Sequence, residues 1–450
     1  MSNAAPVKQR DRGNWALHTF YVECQVRPDV QPNVRNLIQV VGTALASQPV
    51  LYKDWVYNQP EELAHPLADQ LTRVRVWCPT LGNAPSWPTQ FAQLDFVIYH
   101  PHTTEAAAEL DEEGTTTLFH TTTLPHARFD GLWSSLAFEE SIPDRVLRLM
   151  TTVWQFAHNN VDPDVVTNNR FVLLHGPPGT GKTTLCRALA QRWAVGLQPS
   201  HRLAAGKESG NNQGPAGVVS ARPVYLCEIN SHALFSKWFS ESGKLVAQAF
   251  SKLQELAEAG PVLVLIDEVE SLATSRAQSA ARGNEPSDAV RVVNSVLTEL
   301  DKLKYLPNVM VLATSNLTQC IDEALLDRAD LSLYIGLPSP RAIRRILESC
   351  IVELGRQGLL CSPGPPFSPG SDPAVAGDHP TPELVAAVNQ CQGLSGRAIR
   401  KLPIRTFACL TRPTPITVAE FLITLTAEAE EMSQARRPAE AFPDVGLTLK

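Results

Sequence analysis

One run of residues carries a defined chemistry: Gly176, Pro177, Pro178, Gly179, Thr180, Gly181, Lys182 and Thr183 fit G-x-x-x-x-G-K-[ST], with Thr184 continuing it. The run follows the apolar FVLLH (171–175) and leads into TTLCRALAQ (183–191). That strand–loop–helix setting is what a phosphate loop requires. Glycines let backbone amides turn inward as a nest, and the following helix N-terminus adds the positive end of its dipole. In such a loop Lys182 neutralises the β- and γ-phosphates of ATP, and Thr183 offers a hydroxyl to Mg²⁺.

A second element is Val262-Leu263-Val264-Leu265-Ile266-Asp267-Glu268, a buried apolar strand that ends in two adjacent acids. Ligands bind at the carboxyl ends of strands in open α/β sheets. Asp267 is therefore the candidate Mg²⁺ ligand, and Glu268 the group that orients and polarises the attacking water. An acid after a strand also serves as a helix cap. A third polar element ends the next apolar run, VMVLATSN (309–316). Asn316 could hydrogen-bond a γ-phosphate or the water, although Asn also ends strands as a turn residue.

The elements that must position these groups are short apolar strands alternating with helices, the pattern of a parallel sheet covered on both faces. Strands are expected at 171–175, 223–229, 261–266, 308–314 and 331–335, with helices at 181–194, 243–258, 287–303 and around 322–327. Beyond Pro340 strands give way to helices at 340–355, 381–391, 395–411 and 416–436. Upstream, a mixed α+β domain is expected: strands at His18–Val26, Thr72–Trp77 and Phe91–His100, and a helix at Val34–Ala46. The segment Thr103–Thr123 reads as a loop, and Pro143–His158 as an amphipathic helix. The division is 1–130, 131–340, 341–436 and a tail at 437–450. The Gly/Pro/Ser/Asn-rich stretches at 200–222 and 362–380 read as disordered insertions.

The 450 residues suit two or three domains, and 44% hydrophobic against 19% charged residues is a globular balance. A net charge of −7 argues against a primary nucleic-acid binder, which needs a concentrated basic face. The nine cysteines form no C-x-x-C, so neither a disulfide framework nor a zinc site is expected. His18, His100, His102 and His120 lack metal-ligand spacing. No apolar segment has membrane-spanning length and no signal segment is read, so a soluble intracellular protein is expected.

Seven stretches carry a resemblance: GLWSSL (131–136), LLHGPPGTGKTTLCRALAQ (173–191), EINSHALFSKWFSESGKLV (228–246), VLIDEVESL (264–272), EPSDAVRVVNSVLTELD (285–301), TSNLTQCIDEALLDRADLSLYIGLPS (314–339) and GLSGRAIRKLP (393–403). With the helical C-terminal region they resemble the AAA+ superfamily, and within it the pachytene checkpoint protein 2 family. The likeness is nearly continuous over 127–340, recurs at 393–403, and weakens upstream. The two insertions depart from the compact family pattern. The implied fold is an AAA+ P-loop parallel sheet sandwiched by helices, with a C-terminal helical lid and an N-terminal mixed α+β recognition domain.

The resemblance implies further roles. Arg328 falls where such ATPases place an arginine finger that reaches the neighbouring subunit's ATP; an ion pair with Asp327 or Asp330 is the alternative. Arg397 falls where the lid offers a sensor arginine, with Arg400 competing. Gly131, Leu132 and Trp133 are read either as a wall of the adenine pocket or as interdomain packing. Trp238 and Phe239, in KWFSES (237–242), lie where translocases carry an aromatic pore loop, and Ala277–Glu285 would be a second one. Packing beneath a loop is the other reading of the two aromatics.

The implied protein is a homo-hexamer that uses ATP and Mg²⁺ to partly unfold HORMA-domain clients through a central pore. It would convert closed conformers to open ones, directly or through a HORMA adaptor, in meiotic chromosome axis and spindle checkpoint control. The implied location is the nucleus, on chromosomes, with a cytoplasmic pool left open. Neither direct nucleic-acid binding nor a membrane partner is expected. Alternatives are an AAA+ unfoldase or severing motor with another client, or an ATP-gated scaffold, against which an intact Glu268 and Arg328 argue. A GTPase is disfavoured because N-K-x-D is missing.

Overall fold

The structure is a computed structural model that describes residues 18–57, 68–78, 80–81, 84–138, 142–203, 222–230, 242–270, 287–316, 323–361, 381–410 and 415–435. The described residues form two compact units, one from 18–101 and 195–203, the other from 102–194 and from 222 onward.

The first unit begins with β1 (His18–Val26), α1 (Val34–Ala46), β2 (Val50–Tyr52) and β3 (Asp54–Tyr57), followed by β4 (Leu71–Trp77), β5 (Ser86–Pro88) and β6 (Ala92–Tyr99). Period-two alternation puts Phe20, Val22, Cys24 and Val26 on one face of β1. They share a core with Leu37, Ile38, Val41 and Leu45, the apolar stripe of α1. Asn33 starts that helix by accepting the Asn36 N–H through its side chain. β1 pairs antiparallel with β4 and parallel with β6.

The second unit opens with β7 (Ala107–Leu110) and β8 (Thr117–Leu124), then α2 (Leu132–Ser135), α3 (Ile142–His158), β9 (Phe171–His175) and α4 (Lys182–Gly196). The hairpin of β7 and β8 replaces the loop expected at 103–123. Its threonines are β-branched and suit a strand, and Leu118 and Phe119 between them enter the core. The Asp111 carboxylate closes the turn by accepting the Thr115 and Thr116 N–H groups. Because β8 pairs with a strand of the second unit's sheet, residues 107–124 belong to that sheet. The boundary expected at 130 therefore falls near 101.

After α4 the chain re-enters the first unit and adds β10 (Ser200–Leu203), antiparallel to β6, giving the order β10-β6-β1-β4-β3. These four residues correct the expectation that 200–222 is wholly disordered; 204–221 lie outside the described residues, as do 362–380.

The second unit continues with β11 (Val224–Asn230), α5 (Ser242–Ala259), β12 (Val262–Asp267), α6 (Ser287–Leu303), β13 (Val309–Ser315), α7 (Glu323–Arg328) and β14 (Leu331–Tyr334). Its sheet order is β14-β9-β13-β12-β11-β8-β7, parallel across the first five strands. Phe171, Leu173, Val264, Ile266 and Val311 on one face pack with Val246, Phe250 and Leu253 of α5 and Leu297 and Leu300 of α6. Val172, Leu174, Leu263, Leu265 and Leu312 on the other face are equally buried. Two-sided burial is why these strands read as continuous apolar runs.

The lid contains α8 (Pro340–Arg356), α9 (Pro382–Gln390), α10 (Gly396–Cys409) and α11 (Val418–Gln434). All four start the same way: Ser339, Thr381, Ser395 and Thr417 each accept a backbone N–H three residues on. Strands do not stop at Pro340 as expected, since β15 (Leu360–Cys361) pairs with β16 (Ile416–Thr417). The described cysteines are all unbridged. Among the described residues no helix is long and apolar enough to cross a membrane.

Candidate nucleotide-hydrolysis site

β9 ends at His175, and the chain turns at Gly176 with φ 143°, Gly179 with φ 79° and Gly181 with φ 96° before α4 begins at Lys182. A Cβ at Gly176 would sit 2.2 Å from the Ile335 carbonyl oxygen, so no other residue fits there. At Gly179 it would meet Ser395 Oγ at 2.9 Å and Arg397 Cβ at 3.1 Å. The loop is thus pinned by β14's exit on one side and the lid on the other. Thr180 Oγ1 donates to the Pro177 carbonyl at 3.0 Å and braces the turn from within. Pro178 is exposed and Thr184 half-buried on the first turn of α4.

Lys182 is only 4% exposed, and its Nζ donates to the Gly176 and Pro177 carbonyls at 2.8 Å each. Burial pushes its ammonium below the ordinary value, and the Arg397 charge adds to that; Glu270, Asp267 and Glu268 oppose it. The loop therefore holds a buried cation at the start of α4, and that cation with the helix N-terminus favours an anion such as phosphate.

β12 delivers the acids as expected. Asp267 accepts Thr183 Oγ1 at 2.9 Å (Oδ1) and 3.2 Å (Oδ2), and also accepts the Thr314 hydroxyl. A threonine hydroxyl beside a carboxylate is the hard oxygen pair that a small divalent cation takes. Glu268 has φ 58°, a left-handed conformation rare outside glycine. Its N–H donates to Thr314 Oγ1 at 3.2 Å, and its Oε1 accepts Asn316 Nδ2 at 3.3 Å. Asn316, expected to bond a γ-phosphate or the attacking water, here bonds the acid expected to orient that water.

Two groups here escaped the sequence reading. Thr314 bridges both acids, and Glu270 Oε1 accepts the Asn316 N–H at 3.1 Å while leading the carboxylates that act on Lys182. No local spacing pairs them with the acids: they meet because β12 and β13 lie side by side.

The two lid arginines separate. The Arg397 N–H donates to the Gly179 carbonyl at 3.0 Å, whereas Arg400 Nη2 donates to the Ser135 carbonyl at 2.9 Å. Of the two candidates, Arg397 is the one whose backbone meets the phosphate loop. Arg328 is held elsewhere: Nε and Nη2 fork onto Asp301 at 2.8 and 2.9 Å, and Nη1 donates to the Ala324 carbonyl. The alternative partners Asp327 and Asp330 are thereby replaced by Asp301. Asp330 instead accepts the Asn169 and Phe171 N–H groups. The Arg192 guanidinium lies 5.7 Å over the Trp133 ring, and Gly131 caps α2 with φ 75°. Trp238, Phe239 and Ala277–Glu285 lie outside the described residues.

Residues 172–337 match the AAA family model, ATPases associated with various cellular activities, and residues 371–433 match the TRIP13-like AAA+ ATPase lid C-terminal domain. The Arabidopsis thaliana pachytene checkpoint protein 2 homolog is 38% identical over 439 residues, covering 92% of this chain and 88% of that protein. The Homo sapiens homolog is 41% identical over 327 residues, 71% of each chain. The solved structure of C. elegans PCH-2 superposes with a TM-score of 0.71 at 27% identity, covering 93% of this chain and 100% of that one. A nucleotide-binding AAA+ ATPase with this lid and this kinship is a member of the pachytene checkpoint protein 2 family.

Proposed function

We propose that the chain hydrolyses ATP with Glu268 orienting the attacking water, and couples turnover to remodelling of HORMA-domain proteins. The observation that carries the chemical part is the convergence of Thr183, Thr314 and Asn316 on the adjacent acids Asp267 and Glu268 beside Lys182. Phosphoryl transfer needs positioning and charge stabilisation more than covalent chemistry, and this cluster is built for positioning. Lys182 balances phosphate charge, Asn316 restrains the Glu268 carboxylate, and Arg397 brings the lid to the loop. Thr183 and Asp267 would hold Mg²⁺, which would supply neutralisation of the phosphate charge.

The wider reading follows from family membership. The subunits form a homo-hexamer in which Arg328 completes the neighbour's site. Trp238 and Phe239 grip the client in the pore, and the N-terminal unit recruits it, directly or through a HORMA adaptor. The work belongs to meiotic chromosome axis and spindle checkpoint control, in the nucleus.

The test is conversion of a purified closed HORMA protein to its open form, with ATP, by the wild type and by Glu268→Gln. Conversion by the wild type alone establishes the reading. Turnover without conversion, with a HORMA adaptor present, removes the HORMA client and leaves a motor for another one.

A further inference from the structure

We propose that Thr314 is a positioning residue for hydrolysis, its single hydroxyl holding Asp267 and Glu268 in one fixed relation; the inference rests on the roles given to those two acids above. Thr314 is the sixth residue of β13, behind Val309, Met310, Val311, Leu312 and Ala313, all buried. At 1% exposure it breaks an otherwise apolar strand with a polar atom. A buried hydroxyl must be hydrogen-bonded, and this one is used in both senses. As donor it bonds the Asp267 carboxylate, and as acceptor it takes the Glu268 N–H at 3.2 Å. The same residue's carbonyl accepts the Val269 N–H at 2.9 Å. Three successive residues of the acidic turn are thus held by one threonine.

The turn needs holding because Glu268 is left-handed, with φ 58°. Such a conformation persists in a non-glycine residue only where surrounding bonds over-determine it. Relaxing it would swing the Glu268 carboxylate away from Asn316. The bond to Asp267 matters separately. Asp267 lies between two hydroxyls, one from the phosphate-loop helix and one from β13. Thr183 is assigned to the cation, so Thr314 is the one that fixes the carboxylate independently of the loop. Threonine suits strands on propensity alone. Propensity, however, does not account for both bonding capacities meeting adjacent acids.

The test compares the full-length wild type with Thr314→Val, which keeps shape and branching but removes the hydroxyl, and with Thr314→Ser, which keeps the hydroxyl. ATP turnover is measured beside the affinity for a fluorescent ATP analogue, once with Mg²⁺ and once in EDTA. For the valine variant, kcat is expected to fall about tenfold to a hundredfold, the scale for losing a hydrogen bond to a charged group. Affinity in EDTA stays at the wild-type level, while the gain in affinity on adding Mg²⁺ shrinks. Serine restores both. Should the valine variant not fold, Thr314→Ala carries the same readings against serine. Wild-type turnover by the hydroxyl-free variant overturns the proposal, as does an equal loss of affinity in EDTA, which marks a merely structural residue. Glu268→Gln, run in parallel, separates the two levels: its hydrolysis at the wild-type rate would sink the underlying assignment rather than the role of Thr314.

Discussion

In the catalytic sheet, β9, β12 and β13 are apolar on both faces until their last few residues, where Asp267, Thr314 and Ser315 appear. In the N-terminal sheet, β1 alternates Phe20, Val22 and Cys24 with Tyr21, Glu23 and Gln25, so polar groups run along one whole face. Glu23 and Asp95 are buried there in strand middles and Gln25 near the end of β1, so buried polar groups are spread along the strands rather than gathered at their ends. Two-sided apolar burial forces the polar residues of a parallel sheet to its rim, where backbone ends and helix N-termini meet a ligand. A one-sided sheet carries no such focus. Buried polarity in itself therefore does not mark a site; its position along the strand does.

The sharpest way to break this contrast lies at Arg328, which sits outside the rim cluster of its own subunit. If it completes a neighbour's site, Arg328→Ala lowers ATP turnover by about 10³–10⁵-fold. Mixing it with Lys182→Ala subunits then restores part of that activity, because some interfaces pair an intact phosphate loop with an intact arginine. If its role ends at the fork with Asp301, a half-exposed pair, then Arg328→Ala and Asp301→Ala behave alike. Each would then cost about 0–1 kcal/mol of stability and leave turnover intact.

Within the rim, Glu268→Gln removes the charge that polarises water while keeping the Asn316 contact in reach. Turnover is expected to fall about 10²–10⁴-fold, with nucleotide affinity preserved. A loss of affinity as large as the loss of turnover would recast Glu268 as a ligand of the nucleotide rather than of the water.

The N-terminal sheet offers the reverse test. Phe20 is fully buried in that unit's own core, so Phe20→Ala is expected to cost about 3–5 kcal/mol. Calorimetry should show the loss in one transition, with basal ATP turnover retained and client conversion lost. Loss of turnover in step with unfolding would mean that the chemistry depends on both sheets.

Legibility in the sequence follows the same division. The phosphate loop could be read because its groups are contiguous and act through backbone, and Asp267 and Glu268 because they end a run that has no other polar residue. Thr314 and Glu270 could not, since their roles arise where β12 and β13 lie side by side, 46 residues apart for the Glu268–Thr314 and Asn316–Glu270 bonds. The Arg328–Asp301 fork spans 27 residues and joins two helices, which spacing alone does not reveal. The hairpin at 107–124 is hard to see in the sequence because its threonines, β-branched and suited to strands, also occur in loops. β10 is silent in the sequence because SHRL has too few apolar residues to announce a strand, and only its pairing with β6 makes it one.

The smallest effect separates two helix caps of the same chemistry. Ser395 and Thr417 both accept a backbone N–H three residues on, at 3.4 and 3.2 Å. Replacing either with Ala should lower stability by about 0.5–2 kcal/mol, read as a drop in the unfolding midpoint. Thr417 begins α11, where the partners named for it are lid residues, and its loss should leave ATP affinity untouched. Ser395 begins α10 beside Gly179, whose carbonyl also takes the Arg397 N–H. Loosening that cap should let the start of α10 drift from the phosphate loop, raising KM for ATP by a few-fold with little change in kcat, the mark of lost uniform binding. Identical kinetics for the two variants would mean that the lid meets the loop through Arg397 and Gly179 backbone alone. The polar rim would then end at the large subdomain and exclude the lid.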